Sequence, residues 1–121
     1  MTTSKDVASA VILIAQDFAA RGDVSFHALL IESGWPDDRH LVQVDDIERA
    51  LRLRPELVAS WAQYSADKRS SEGWYFDAAA SGGWVVAYAG GRALDDGTFA
   101  VDDETVACAI FIQKELEAAC P

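Results

Sequence analysis

Basic residues are scarce in this chain. Ten Lys and Arg stand against twenty Asp and Glu, a net charge of −10 over 121 residues. A phosphate backbone is bound through clustered Lys and Arg, and an anionic membrane surface attracts the same residues. The deficit argues against both a nucleic acid and a membrane as partner. Cysteine is almost missing, with only Cys108 and Cys120. On one helix their spacing would hold them about 18 Å apart. A disulfide needs Cα atoms within about 7 Å. No intrachain bridge is expected, and two unbridged thiols suit a reducing cytoplasm. A basic, apolar leader is missing from the N-terminus, and no apolar run reaches the roughly 20 residues of a membrane span.

The usual carriers of chemistry are also thin. His27 and His40 are the only histidines, and a metal site needs three or four converging ligands. Asp23 precedes His27 and Asp37-Asp38 precede His40, but there is no H-E-x-x-H and no C-x-x-C. We expect His27 half-buried on a helix and His40 in a surface loop, with no metal and no cofactor. No G-x-S-x-G elbow offers a serine nucleophile. Cys108 sits in the most apolar stretch, where burial makes a thiol an inert packing residue. Gly82-Gly83 and Gly90-Gly91 lack the strand, helix and Lys-Ser/Thr context of a phosphate loop. Asp95-Asp96-Gly97 lacks the alternating ligands of a calcium loop and reads as a turn. The balance leans away from an enzyme.

Apolar residues, in contrast, make up half of the chain. That is enough for one core, and a single domain over 1–121 is expected. Apolar spacing predicts a first helix over 4–21, capped by Thr3 and ended by Gly22. Ser25 caps a second helix, 26–33. Gly34 stops it and Pro36 blocks its resumption, leaving Trp35 to fold back on the core. Residues 41–44 read as a brief edge strand. A capping box over 45–48 opens a third helix, to Leu53. A fourth, over 55–68, carries an inner stripe of Leu57, Val58, Trp61, Ala62, Tyr64 and Ser65.

The period then falls to two. Trp74, Phe76 and Ala78 share one face of a strand, with Tyr75 and Asp77 on the other. Ser81-Gly82-Gly83 is a turn. Trp84, Val86 and Tyr88 line the next strand, with Trp84 expected deep against the helices. After the Asp95–Gly97 turn, residues 98–101 form a third strand. Asp102 or Asp103 caps a last helix, to about 119, whose first half has no charge and should be buried all round. The fold class is α+β: N-terminal helices packed on a three-stranded antiparallel meander, closed by a C-terminal helix.

Two surface features invite function. Three of the four Trp and all three Tyr fall between Trp61 and Tyr88, around the adjacent bases Lys68-Arg69. Arg69 beside Trp74 and Tyr75 has the residue types of an interface hot spot. The same residues also suit a structural brace at a helix C-terminus. The second feature is charge. Residues 93–121 hold seven acids against Lys114 alone. Asp95, Asp96, Asp102, Asp103 and Glu104 could dock a basic protein, or simply solvate the surface. The preferred reading is a small acidic binding protein of the bacterial cytoplasm. Immunity proteins and antitoxins share this general profile, although no motif fixes a family. The alternatives are a small enzyme or ligand carrier, with an aromatic pocket of Tyr64, Trp74, Tyr75 and Asp77 around Arg69, and a self-associating adaptor subunit.

Overall fold

The computed structural model describes residues 4–68, 73–80, 82–89 and 99–119. Helices come first: α1 (Ser4–Val11), α2 (Ile14–Arg21), α3 (Phe26–Ser33), α4 (Trp35–Asp38), α5 (Val44–Leu53) and α6 (Glu56–Lys68). A meander of β1 (Gly73–Ala78), β2 (Trp84–Ala89) and β3 (Phe99–Val101) follows, and α7 (Glu104–Ala119) closes the chain. The class is α+β, with the sheet antiparallel in the order β1-β2-β3.

The expected first helix is two helices. At the break, Leu13 N–H turns back to Ala10 O at 3.2 Å, one residue short of helical spacing. The Ile12 carbonyl instead accepts the indole N–H of Trp61, at 2.9 Å. A side chain inserted into the ladder is a standard cause of a helix break. Its source is 49 residues away, so no local pattern announces it. Gly22 then ends α2 in the left-handed region, at φ 68°. Ser25 caps α3 as expected, its Oγ accepting Ala28 N–H at 3.0 Å. The Thr3 cap lies outside the described residues.

Two expectations near Pro36 and Val42 are corrected. Pro36 does not prevent a helix. It sits in the first turn of α4, where no backbone donor is required of it. Trp35 on the same turn is fully buried. Residues 41–44 form no strand; a 3-10 turn (Arg39–Leu41) leads through Val42 into α5. The box that opens α5 starts two residues earlier than expected. The Gln43 N–H donates to Asp46 Oδ2 at 2.8 Å.

The hairpin pairs Trp74 with Tyr88, Phe76 with Val86 and Ala78 with Trp84. Gly83 is required at its turn: φ is +77°, and a Cβ there would lie 2.9 Å from the Val101 carbonyl. β1 is an edge strand, and α6 covers that edge. Ser65 Oγ accepts Phe76 N–H at 3.0 Å and donates to Phe76 O at 3.3 Å. Edge groups satisfied in this way cannot recruit a foreign strand.

α7 packs on all three strands, and α6 on β1. Behind them, α5 packs on α7, α1 on α5, and α2 on α6. The core between these layers is built from Leu57, Trp61, Val86, Phe111, Ile112 and Leu116, all fully buried or nearly so. The uncharged first half of α7 is buried at Ala107, Cys108, Ala109, Phe111 and Ile112. Thr105, Val106 and Ile110 in the same half are only half-buried, so this stretch is not buried all round as expected.

Candidate functional site

The acids at the β3–α7 junction do different work. Asp103 is structural. Its Oδ1 accepts the N–H groups of Thr105 at 2.7 Å and Val106 at 3.3 Å, capping α7. Its Oδ2 accepts Arg52 at 3.2 Å, and Arg52 also holds Glu48 at 2.9 Å. Partial desolvation pushes the Asp103 carboxyl upward, but the Arg52 and backbone hydrogen bonds outweigh it and hold it below its ordinary value. Asp102 and Glu104, on either side, are exposed and form no ion pair among the described residues. Asp95 and Asp96 lie outside those residues.

The aromatic block divides in two. Trp74 meets Tyr88 edge to face at 5.6 Å and Phe99 at 6.4 Å. Lys114 Nζ lies 5.6 Å from the Trp74 ring centre and 5.2 Å from that of Phe99. Tyr75 is on the opposite face of β1 and is half-buried. Arg69 lies outside the described residues. Tyr64 belongs to another cluster, with Phe18, Phe26, Trp61 and Phe111 at 5.4–6.2 Å. The structure therefore brings Trp74 to a cation but does not bring Trp74, Tyr75 and Tyr64 together.

Sequence reasoning missed a cleft. Between α2 and α6 lies an open groove of about 690 Å³, walled by Phe18, Ala19, Ala59, Ser60, Gln63 and Tyr64 and ended by Gly22 and Asp67. Under it the Tyr64 hydroxyl donates to Glu115 Oε2 at 2.5 Å. Glu115 is only 5% exposed. Burial, then the charge and hydrogen bond of Glu115, push the Tyr64 hydroxyl well above its ordinary value. The sequence held no distinct signal of the groove: Ala19, Ala59 and Ser60 read as ordinary helix residues, and Gly22 is already explained as the C-cap of α2.

No family model, curated protein or solved structure matches the chain. The reading must therefore come from the geometry. His27 is exposed, not half-buried as expected, and His40 is exposed. No group of three metal-ligating side chains occurs among the described residues. The Cys108 thiol is buried, and burial, then the charge of Glu104, raise it far above the range of a reactive thiolate. Among the described residues, no helix is long and apolar enough to cross a membrane.

Proposed function

We propose that this protein is a small non-enzymatic binding domain for a basic protein, and that it works in a bacterial cytoplasm in the manner of an inhibitor. One observation carries the reading most directly. Asp102 and Glu104 flank the Asp103 cap of α7, exposed and without a paired cation among the described residues, in a chain of net charge −10. Arg21, Arg49 and Arg54 are each paired with an acid elsewhere, and Arg52, which reaches the junction, is held there by Asp103 and also by Glu48. The negative field at the junction is thus available to a partner. Immunity proteins and antitoxins use such an excess of acid to meet basic toxins.

The test begins with capture of the partner from native lysate on the immobilised protein. Association kinetics then follow, for the native chain and for a variant with Asp95→Asn, Asp96→Asn, Asp102→Asn and Glu104→Gln. Asp103 is kept, because it caps α7. A basic partner bound in stoichiometric amount is expected. Its on-rate should drop about tenfold from low to high salt, and again in the variant, because charge steers encounter and salt screens it. An on-rate that ignores both changes overturns the reading.

A further inference from the structure

We propose that the edge of β1 is a latent self-association surface, fitted to pair with β1 of a second copy of this chain, and that the Ser65 hydroxyl holds it closed.

The geometry at Phe76 is that of a strand pair made by a side chain. In an antiparallel ladder, a hydrogen-bonded residue exchanges both of its backbone groups with one residue opposite. At the β1 edge a single hydroxyl takes both roles. Ser65 Oγ accepts Phe76 N–H at 3.0 Å and donates to Phe76 O at 3.3 Å. It thus stands where a residue of a further strand would stand. Ser65 is fully buried and Phe76 is 4% exposed, so the exchange is made away from solvent. Outward backbone groups recur at every second residue, which places the next set at Ala78. There the N–H again meets a side chain, Asp77 Oδ1 at 2.8 Å.

The latch lies where it can open. α6 ends at Lys68, within one turn of Ser65, and Ala66 and Asp67 beyond Ser65 are exposed. Helix ends fray. Unwinding that last turn releases the hydroxyl and leaves Leu57, Val58 and Trp61 in the core. Phe76 then presents a free donor and a free acceptor on an edge strand, the template on which another strand pairs.

A second copy matches this edge. Antiparallel pairing centred on Phe76 sets the two Phe76 residues opposite each other. Each Asp77 then faces Tyr75 of the other copy, so the acids of the two strands do not meet. β1 reads G-W-Y-F-D-A. Three aromatics in a row, one charge and no Pro suit a strand that pairs readily. The net charge of −10 on each copy opposes the approach. Salt screens that repulsion and should promote pairing.

Sedimentation velocity and amide exchange of the native chain and of Ser65→Ala test the proposal. The native chain should stay monomeric. Ser65→Ala should pass from monomer to dimer as its concentration rises, and sooner at high salt. In the dilute variant the Phe76 amide should exchange about five- to hundredfold faster than in the native chain, because its acceptor is gone. In the dimer that amide should be protected again. Adding Tyr75→Asp to the variant sets acid against acid across the pair and should weaken the dimer about threefold to tenfold.

A folded Ser65→Ala that stays monomeric at every concentration and salt overturns the proposal. So does a native chain that dimerises as readily as the variant, since Ser65 then holds nothing closed. A dimer indifferent to Tyr75→Asp, or one that leaves the Phe76 amide unprotected, lies on another surface and overturns it too. If Ser65→Ala does not fold, the native chain decides. In urea below its unfolding transition, exchange at Phe76 should slow as protein concentration rises, because a second copy captures the opened edge. Exchange that ignores concentration overturns the proposal.

Discussion

Lys114 and Glu115 are adjacent on α7, yet each serves a different aromatic cluster. Glu115 is buried and accepts the Tyr64 hydroxyl at the inner cluster of Phe18, Phe26, Trp61, Tyr64 and Phe111. Lys114 is half-buried, and its ammonium lies over Trp74 and Phe99 on the sheet. In the inner cluster each polar handle has a fixed partner: Trp61 donates to Ile12 and Tyr64 to Glu115. In the outer one the rings are half-buried and meet a flexible cation. Depth decides the difference. A buried N–H or O–H without a partner costs stability. Trp61 and Tyr64 avoid that cost, whereas the buried Trp35 Nε1 has no hydrogen-bond partner among the described residues. A ring at the rim can leave its polar edge to water.

The largest test of that contrast sets Trp61 against Trp84. Trp61 is fully buried. Trp61→Ala should cost about 3–5 kcal/mol for the lost ring. The Ile12 carbonyl would also lose its donor. Trp84 shares the inner face with Val86, as its alternation predicts, but it is only half-buried. It stands at the end of the ladder, opposite Ala78 and Val101. Trp84→Ala should therefore cost about 1–2 kcal/mol, less than for a fully buried ring. Urea unfolding of both variants measures the gap. Equal losses would show that depth is not what governs the two sites.

Trp84 also marks the limit of what the sequence discloses. A period of two assigns the face of a residue, because alternation is local. How close that face comes to solvent depends on where the strand ends and what covers it. Gly22, Ser25 and the hairpin turn at Gly83 were legible because their chemistry acts within a few residues. The break at Ile12 was not, since Trp61 causes it from a distant helix. Asp103 was named both as a cap and as a docking residue; only its geometry shows that its two oxygens are engaged. The cleft was illegible for a related reason. It is a gap between two helices whose small residues look like ordinary helix formers.

A middle-sized effect is expected at Tyr64. Tyr64→Phe keeps the ring contacts and removes the donor to Glu115, at a cost of about 1–3 kcal/mol. Alkali should expose the same pair. The Tyr64 hydroxyl is raised from an ordinary value of 10.0 by burial and by Glu115. The unfolded chain therefore gives up this proton first. The stabilising contribution is complete below about 10 and is lost as pH rises beyond it. Cys108 behaves alike, starting from an ordinary value of 9.0. Stability should begin to fall near pH 9, and Cys108→Ala should delay the onset toward pH 10. A stability that climbs above pH 10 would contradict both assignments.

The smallest effect belongs to Lys114. A cation over an aromatic face at a half-exposed site is worth about 0.5–1 kcal/mol. Lys114→Met removes the charge but keeps an unbranched, polarizable side chain able to lie on the same rings. The net loss should be no more than about 0.5 kcal/mol. The adjacent residue sharpens the comparison, since Glu115 sits one position along the same helix and is held by a directed hydrogen bond. Denaturant unfolding of Lys114→Met beside Tyr64→Phe reads the two clusters on one scale. If the Lys114 variant loses more than the Tyr64 variant, the Trp74 cluster is a second core and not a rim. The aromatic residues of the meander would then be committed to stability, which would remove Trp74 from the candidate binding residues.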